Sequence, residues 1–102
     1  MAELYRMLPD GSVEAVEDLM EWGKVMQKEN RLVAKVQSGD VRISTVFLGL
    51  NHQFGEGPPL LFETMVFGGK HDQECERYST RDEALAGHCK MATKVLGPHW
   101  NA

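Results

Sequence analysis

Apolar and polar residues alternate along much of this chain and shift to helical spacing in two places. Glu3 to Leu8 alternates weakly and predicts a short edge strand. Pro9-Asp10-Gly11-Ser12 predicts a turn, since Pro presets φ and Asp-Gly supplies the tight bend. Val16, Leu19, Met20, Gly23 and Met26 then recur at helical spacing, with Trp22 flanking the stripe. That spacing predicts an amphipathic helix from about Val13 to Lys28. Glu14, Glu17, Asp18 and Glu21 come early in it and Lys24 and Lys28 late, an order that suits the helix dipole.

Arg31 to Gln37 reads as a strand with Leu32, Ala34 and Val36 on one face, and Ser38-Gly39-Asp40 as a tight hairpin connection. Val41 to Leu50 continues the alternation. Val41, Ile43, Thr45 and Phe47 share one face, and Arg42, Ser44, Val46 and Leu48 the other. After a loop, Leu60 to Phe67 is strand again, with Leu60, Phe62, Thr64 and Val66 opposed to Leu61, Glu63, Met65 and Phe67. Gly68 to Asp72 turns the chain, and Gln73 to Ser79 reads as a polar strand at or near an edge. Thr80-Arg81-Asp82-Glu83 fits a capping box and opens a second helix to about Leu96, ended by Gly97-Pro98.

The expected fold is a single α+β domain over residues 1–102, ordered β-α-β-β-β-β-α. Four consecutive strands with short links imply an antiparallel meander of four or five strands. Both helices are expected on one face, because each has only one apolar stripe.

Composition narrows the function classes. A chain of 102 residues with 42% hydrophobic and 25% charged content is too apolar for disorder and long enough for one core. A net charge of −4 argues against nonspecific nucleic-acid or anionic-membrane binding, though it leaves room for a local positive pocket. Nothing approaches the roughly twenty apolar residues of a membrane span. The opening MAELYRMLPDG lacks the basic-then-apolar pattern of a signal peptide. Cys75 and Cys89 are too few for a thiolate zinc cluster and read as reduced thiols of a cytoplasmic protein.

The stretch from Ile43 to Gly69 contains no lysine or arginine. Its loop holds Asn51, His52, Phe54, Gly55, Glu56, Gly57, Pro58 and Pro59, an elaborate segment between two regular strands. Glycine amides with the Asn51 and His52 side chains are the parts of an anion-binding nest. The spacing matches neither a Walker A loop nor a dinucleotide fingerprint, so a purely structural loop stiffened by Pro58-Pro59 stays open. Glu63 interrupts an apolar strand and requires a partner if buried, with Arg42, Arg77 and His88 as candidates. If exposed, it joins Ser44 and Arg77 on a polar sheet face that would suit a ligand. His88 lies on the apolar stripe of the second helix; the ordinary reading is a core-edge histidine bonded to backbone or a carboxylate, the sharper one a pairing with Glu63 or His52. His52, Glu56, Glu63 and His88 are acceptable metal ligands, but they share no ligating spacing, and no metal or other cofactor is expected.

The strings STVFLGLNH (Ser44 to His52), GPPLLFETMVFGG (Gly57 to Gly69), RYST (Arg77 to Thr80) and EALAGH (Glu83 to His88) together resemble a family of short open reading frames common in bacteriophages and prophage-bearing bacteria. The resemblance covers roughly residues 30 to 90. The family often carries Asp at the position of Asn51, so the change to an amide weakens any metal or acid–base role there. The resemblance implies a phage accessory protein in the bacterial host's cytoplasm, and it supplies no activity, catalytic residue or ligand.

Phage accessory proteins of this size commonly act by binding, and that analogy of context sets the expectation. The leading one is a non-enzymatic, anti-defence protein that sequesters a small nucleotide-like anion. Ser44, Asn51, His52, Gly55, Gly57, Glu63, Arg77 and His88 would form the site, with Phe54 or Tyr78 stacking on a base. The alternative is an inhibitor of a host protein, engaging a basic surface through Glu14, Glu17, Asp18 and Glu21. A small hydrolase using His52, Glu63 and His88 comes third. Homo-oligomerisation is expected in all three cases, because one sheet face is left open.

Overall fold

The structure is a computed structural model and describes residues 3–101. Its elements are β1 (Tyr5–Met7), β2 (Val13–Ala15), α1 (Leu19–Lys28), β3 (Leu32–Ser38), β4 (Val41–Phe47), β5 (Phe62–Phe67), β6 (Cys75–Tyr78) and α2 (Arg81–Leu96). The fold is α+β: a two-stranded antiparallel sheet and a four-stranded antiparallel meander in the order β3-β4-β5-β6, with two helices.

One element departs from the expected order. The turn after Pro9 does not lead into a helix at Val13. It closes a hairpin in which Tyr5 faces Ala15 and Met7 faces Val13. Asp10 holds that turn, its Oδ1 accepting from the Ser12 amide at 2.9 Å and hydroxyl at 2.6 Å. These bonds keep the Asp10 carboxyl below the usual carboxylate range. The helix begins at Leu19, where the Asp18 carboxylate accepts from the Met20 and Glu21 amides. Val16 is buried ahead of the helix, and Leu19 and Met20 of the expected stripe face outward. The short hairpin wins because Val13 and Val16 reach the core from extended backbone, which a helix started at Val13 would swing away.

The rest follows the alternation. Ile43, Thr45 and Phe47 of β4 share a buried face with Phe62, Thr64 and Val66 of β5. α2 packs across that face and reaches all four strands of the meander. Its capping box forms between Thr80 and Glu83, and Gly97 ends it at φ +94°. Ile43 and Val66 meet Met91 and Ala92 in one cluster. Phe47, Leu61, Phe62 and Ala84 form another, closed by Met26 of α1 and by Tyr5, Met7 and Val13 of the hairpin. α2 alone covers that face, whereas α1 docks on β1 of the hairpin and reaches the same side of the meander through Met26. The other side of the meander carries three cross-strand rows: Leu32-Val46-Glu63-Arg77, Lys35-Ser44-Met65-Cys75 and Gln37-Arg42-Phe67.

Candidate functional site

The loop between β4 and β5 is built around Asn51. Its Oδ1 accepts from the Gln53 amide at 2.8 Å and from the Leu60 amide at 3.1 Å, pinning the two ends of the loop together. His52 adds a backbone bond to Leu60 at 3.0 Å and turns its ring Nδ1 back to the Leu50 carbonyl at 2.9 Å. Gln53 reaches across to the Pro58 carbonyl at 3.2 Å. Gly55 and Gly57 take the positive φ values, +83° and +130°, that let the tip reverse. An amide does this work as well as a carboxylate would, because the oxygen only accepts. Phe54 stands at the tip, 90% exposed.

Ser44, Glu63 and Arg77 occupy the open face of the meander. Arg77 Nε donates to Glu63 Oε2 at 2.9 Å across the β5–β6 pair, so the interrupting charge of β5 has the arginine it requires. Ser44 lies opposite Met65 in the next row. The Arg42 guanidinium stacks 4.4 Å over the Phe67 ring on the same face.

His88 and Tyr78 are on the other side of the sheet, under α2. His88 Nδ1 is 2.7 Å from Thr45 Oγ1, Thr45 Oγ1 is 2.6 Å from Thr64 Oγ1, and Tyr78 Oη donates to Thr64 Oγ1 at 3.1 Å. Running the donors from Tyr78 through Thr64 and Thr45 uses every hydroxyl proton and makes His88 Nδ1 the final acceptor. The imidazole is then neutral with its proton on Nε2. Burial holds its pKa below the ordinary histidine value, in agreement with that state. Burial also pushes the Tyr78 phenol up, against the opposing effect of the Thr64 hydrogen bond.

The single pocket expected from the sequence is thus three places. The loop is one, the open face with Ser44, Glu63 and Arg77 a second, and the hydrogen-bonded network of His88 and Tyr78 under α2 a third. The sheet itself separates the second from the third, so His88 pairs with neither Glu63 nor His52, and its partner is a threonine hydroxyl in place of a backbone group or carboxylate. The trio His52, Glu63 and His88 does not converge on one substrate position. No group of three His, Cys, Asp or Glu side chains able to hold a metal occurs among the described residues. Cys75 and Cys89 are free and exposed.

Sequence reasoning passed over Thr45 and Thr64, the hydroxyls at the centre of the network. The signal was present: each is the one polar residue on an otherwise apolar strand face. It also passed over Gly87, whose missing side chain leaves room for Tyr78. A Cβ there would overlap the Tyr78 hydroxyl and ring. No helix among the described residues is long and apolar enough to cross a membrane.

Comparison with protein-family models, with curated proteins and with solved structures finds no match to this chain.

Proposed function

We propose that this chain is a phage accessory protein that acts by binding and not by catalysis, and that it covers a basic surface of a host protein with the tip of α1. One observation carries the reading. Leu19 and Met20, in the first turn of α1, are 64% and 73% exposed, and Glu17, Asp18 and Glu21 surround them in sequence and are exposed too. An apolar centre inside a charged rim is the anatomy of a protein interface. Neither belongs to a buried cluster, so most of their apolar surface is free for a partner. The phage setting rests on the sequence motifs alone.

Capture from host lysate tests it, with wild-type protein and a Leu19→Ser/Met20→Ser variant of matched thermal stability as baits. Recovery of a basic host protein by the wild type and its loss with the variant supports the reading. Equal capture by both baits, or none by either, refutes it.

The sequestration of a nucleotide-like anion stands as a second reading on a different observation. The amides of Phe54, Gly55, Glu56 and Gly57 enter no hydrogen bond among the described residues, and the Phe54 ring beside them is open to stack. Isothermal titration with cyclic dinucleotides and ADP-ribose should then give heat that Phe54→Ala abolishes; absence of heat removes this reading. Self-association belongs to the proposal as well, since Leu32 and Phe67 stay exposed on the open face. Sedimentation equilibrium gives the stoichiometry.

A further inference from the structure

β6 is an edge strand, and its free side runs along a groove. Val66 donates to the Glu74 carbonyl at 3.0 Å and Leu61 to the Tyr78 carbonyl at 2.9 Å, so Glu74 and Tyr78 face β5 with their backbone groups. The antiparallel alternation turns Glu76 the same way and leaves the N–H and C=O of Cys75 and Arg77 pointing outward. Beside this edge is a cavity of about 370 Å³ between β6 and α2. Its strand wall is every second residue, Glu74, Glu76 and Tyr78. Its helix wall is one stripe of α2 made of Ala86, Gly87, Lys90, Met91 and Lys94.

The two walls match end to end. Tyr78 lies against Gly87 at one end, and Glu74 is ion-paired with Lys94 at the other. The first end is apolar, with the Tyr78 ring packed over Gly87 and only the small Ala86 beside it. In between, Lys90 enters no salt bridge among the described residues. An exposed backbone edge beside a groove that receives alternate side chains is the geometry of strand addition.

We propose that an extended segment of a partner protein adds to the β6 edge. It seats an apolar side chain over Tyr78, Gly87 and Met91 and presents acidic residues to Lys90 and Arg77. This surface is separate from the α1 tip.

Charge decides against a second copy of the chain. An antiparallel self-pairing must match outward-facing residues, which leaves three central registers. Pairing Cys75 with Arg77 of the second copy sets Glu76 against Glu76. Centring on Arg77 sets Arg77 against Arg77, and centring on Cys75 sets Glu74 against Glu76. Like charges directly opposite destabilise a strand pair in every case. A foreign segment carrying acids escapes that conflict at Arg77.

Selection of a displayed library of random peptides on the intact protein tests the proposal. Enriched peptides should carry an apolar and an acidic residue two positions apart on the groove side, with a second acidic residue between them for Arg77. Amide shifts on adding the best synthetic peptide should fall on residues 74–79 and 86–94. Ala86→Phe, which fills the groove from an exposed helix position, should abolish binding with Tm unchanged. Lys90→Glu should weaken it about tenfold. Leu19→Ser/Met20→Ser should bind the peptide as the wild type does, which keeps this result separate from that of the α1 tip. No enrichment over the unselected pool, shifts confined to the 51–59 loop or the open face, or full binding by Ala86→Phe would each overturn the proposal.

Discussion

α2 buries Ala84, His88, Met91 and Ala92 against the meander, whereas none of the ten residues of α1 is buried. α1 is held at a few points. The Trp22 indole donates to the Tyr5 carbonyl at 3.0 Å, Met26 packs on the Phe47 cluster, and Arg6 reaches Glu29 at 3.9 Å. A helix of this length is marginal alone in water, so these contacts and the Asp18 cap keep it folded. The two helices differ in how much of their apolar surface the fold uses. α2 is part of the scaffold, with Ala84, Met91 and Ala92 packed inside and the exposed Ala86 left beside the β6 groove. α1 is a lightly docked platform whose most apolar first-turn residues are turned to solvent.

Substitutions in the two helices should therefore have opposite consequences. The largest effect is expected from Met91→Ala, which opens a cavity against Ile43 and Val66 and should cost about 3 kcal/mol in urea unfolding. A loss below about 1 kcal/mol would mean that α2 is no better packed than α1.

The glycines give a sharper contrast. Gly87→Ala forces the new Cβ onto Tyr78 and breaks its bond to Thr64, so it should destabilise by about 1–2 kcal/mol despite alanine's better helix propensity. Gly23→Ala in α1 meets no atom within 4 Å and should instead stabilise by about 0.5–1 kcal/mol. The two changes in midpoint should have opposite signs.

A pH series isolates the buried network. Burial lowers the folded pKa of His88, so below the ordinary value of 6.5 the unfolded chain takes up a proton that the folded chain refuses. Its stabilising contribution is complete above that value and falls as pH drops through it. Between about pH 7.5 and about pH 5.5 the wild type should lose stability that His88→Gln does not. Asp10 and Glu74 do not interfere, because their pKa values are lowered from 3.8 and 4.5 and their contributions are lost only in more acid solution. In Glu74 the cause is first the Lys94 hydrogen bond and then His71. Parallel pH profiles for the two proteins would remove the neutral-histidine reading.

The smallest effect is expected on the open face. Glu63→Ala should cost under about 1 kcal/mol, since the pair it breaks is between partly exposed side chains. A larger cost would show that the face is buried in an assembly, and the scaffold role of α2 would then no longer be unique.

Much of the candidate chemistry was legible as residue types and little of it as a site. Asn51 was visible as an oddity, but its two hydrogen bonds to Gln53 and Leu60 depend on where the loop ends meet. Glu63 announced its need for a partner, and alternation alone could not choose between Arg77 across the sheet and His88 beneath it. His88 was correctly placed on the inward stripe of its helix. Its acceptor role toward Thr45 needed the register of three elements at once.

The four-stranded meander, the hairpin at Ser38-Gly39-Asp40, the capping box of α2 and its stop at Gly97 were all readable from the chain alone. Each of these is specified by short-range periodicity or turn chemistry, which needs no distant partner. Tertiary structure decided the first hairpin, the late start of α1 and the outward turn of Leu19 and Met20. It also decided which polar residues share a place. Strand alternation assigns residues to two faces but not to inside or outside, and only the docking of α2 made one face the core and left the other to the surroundings.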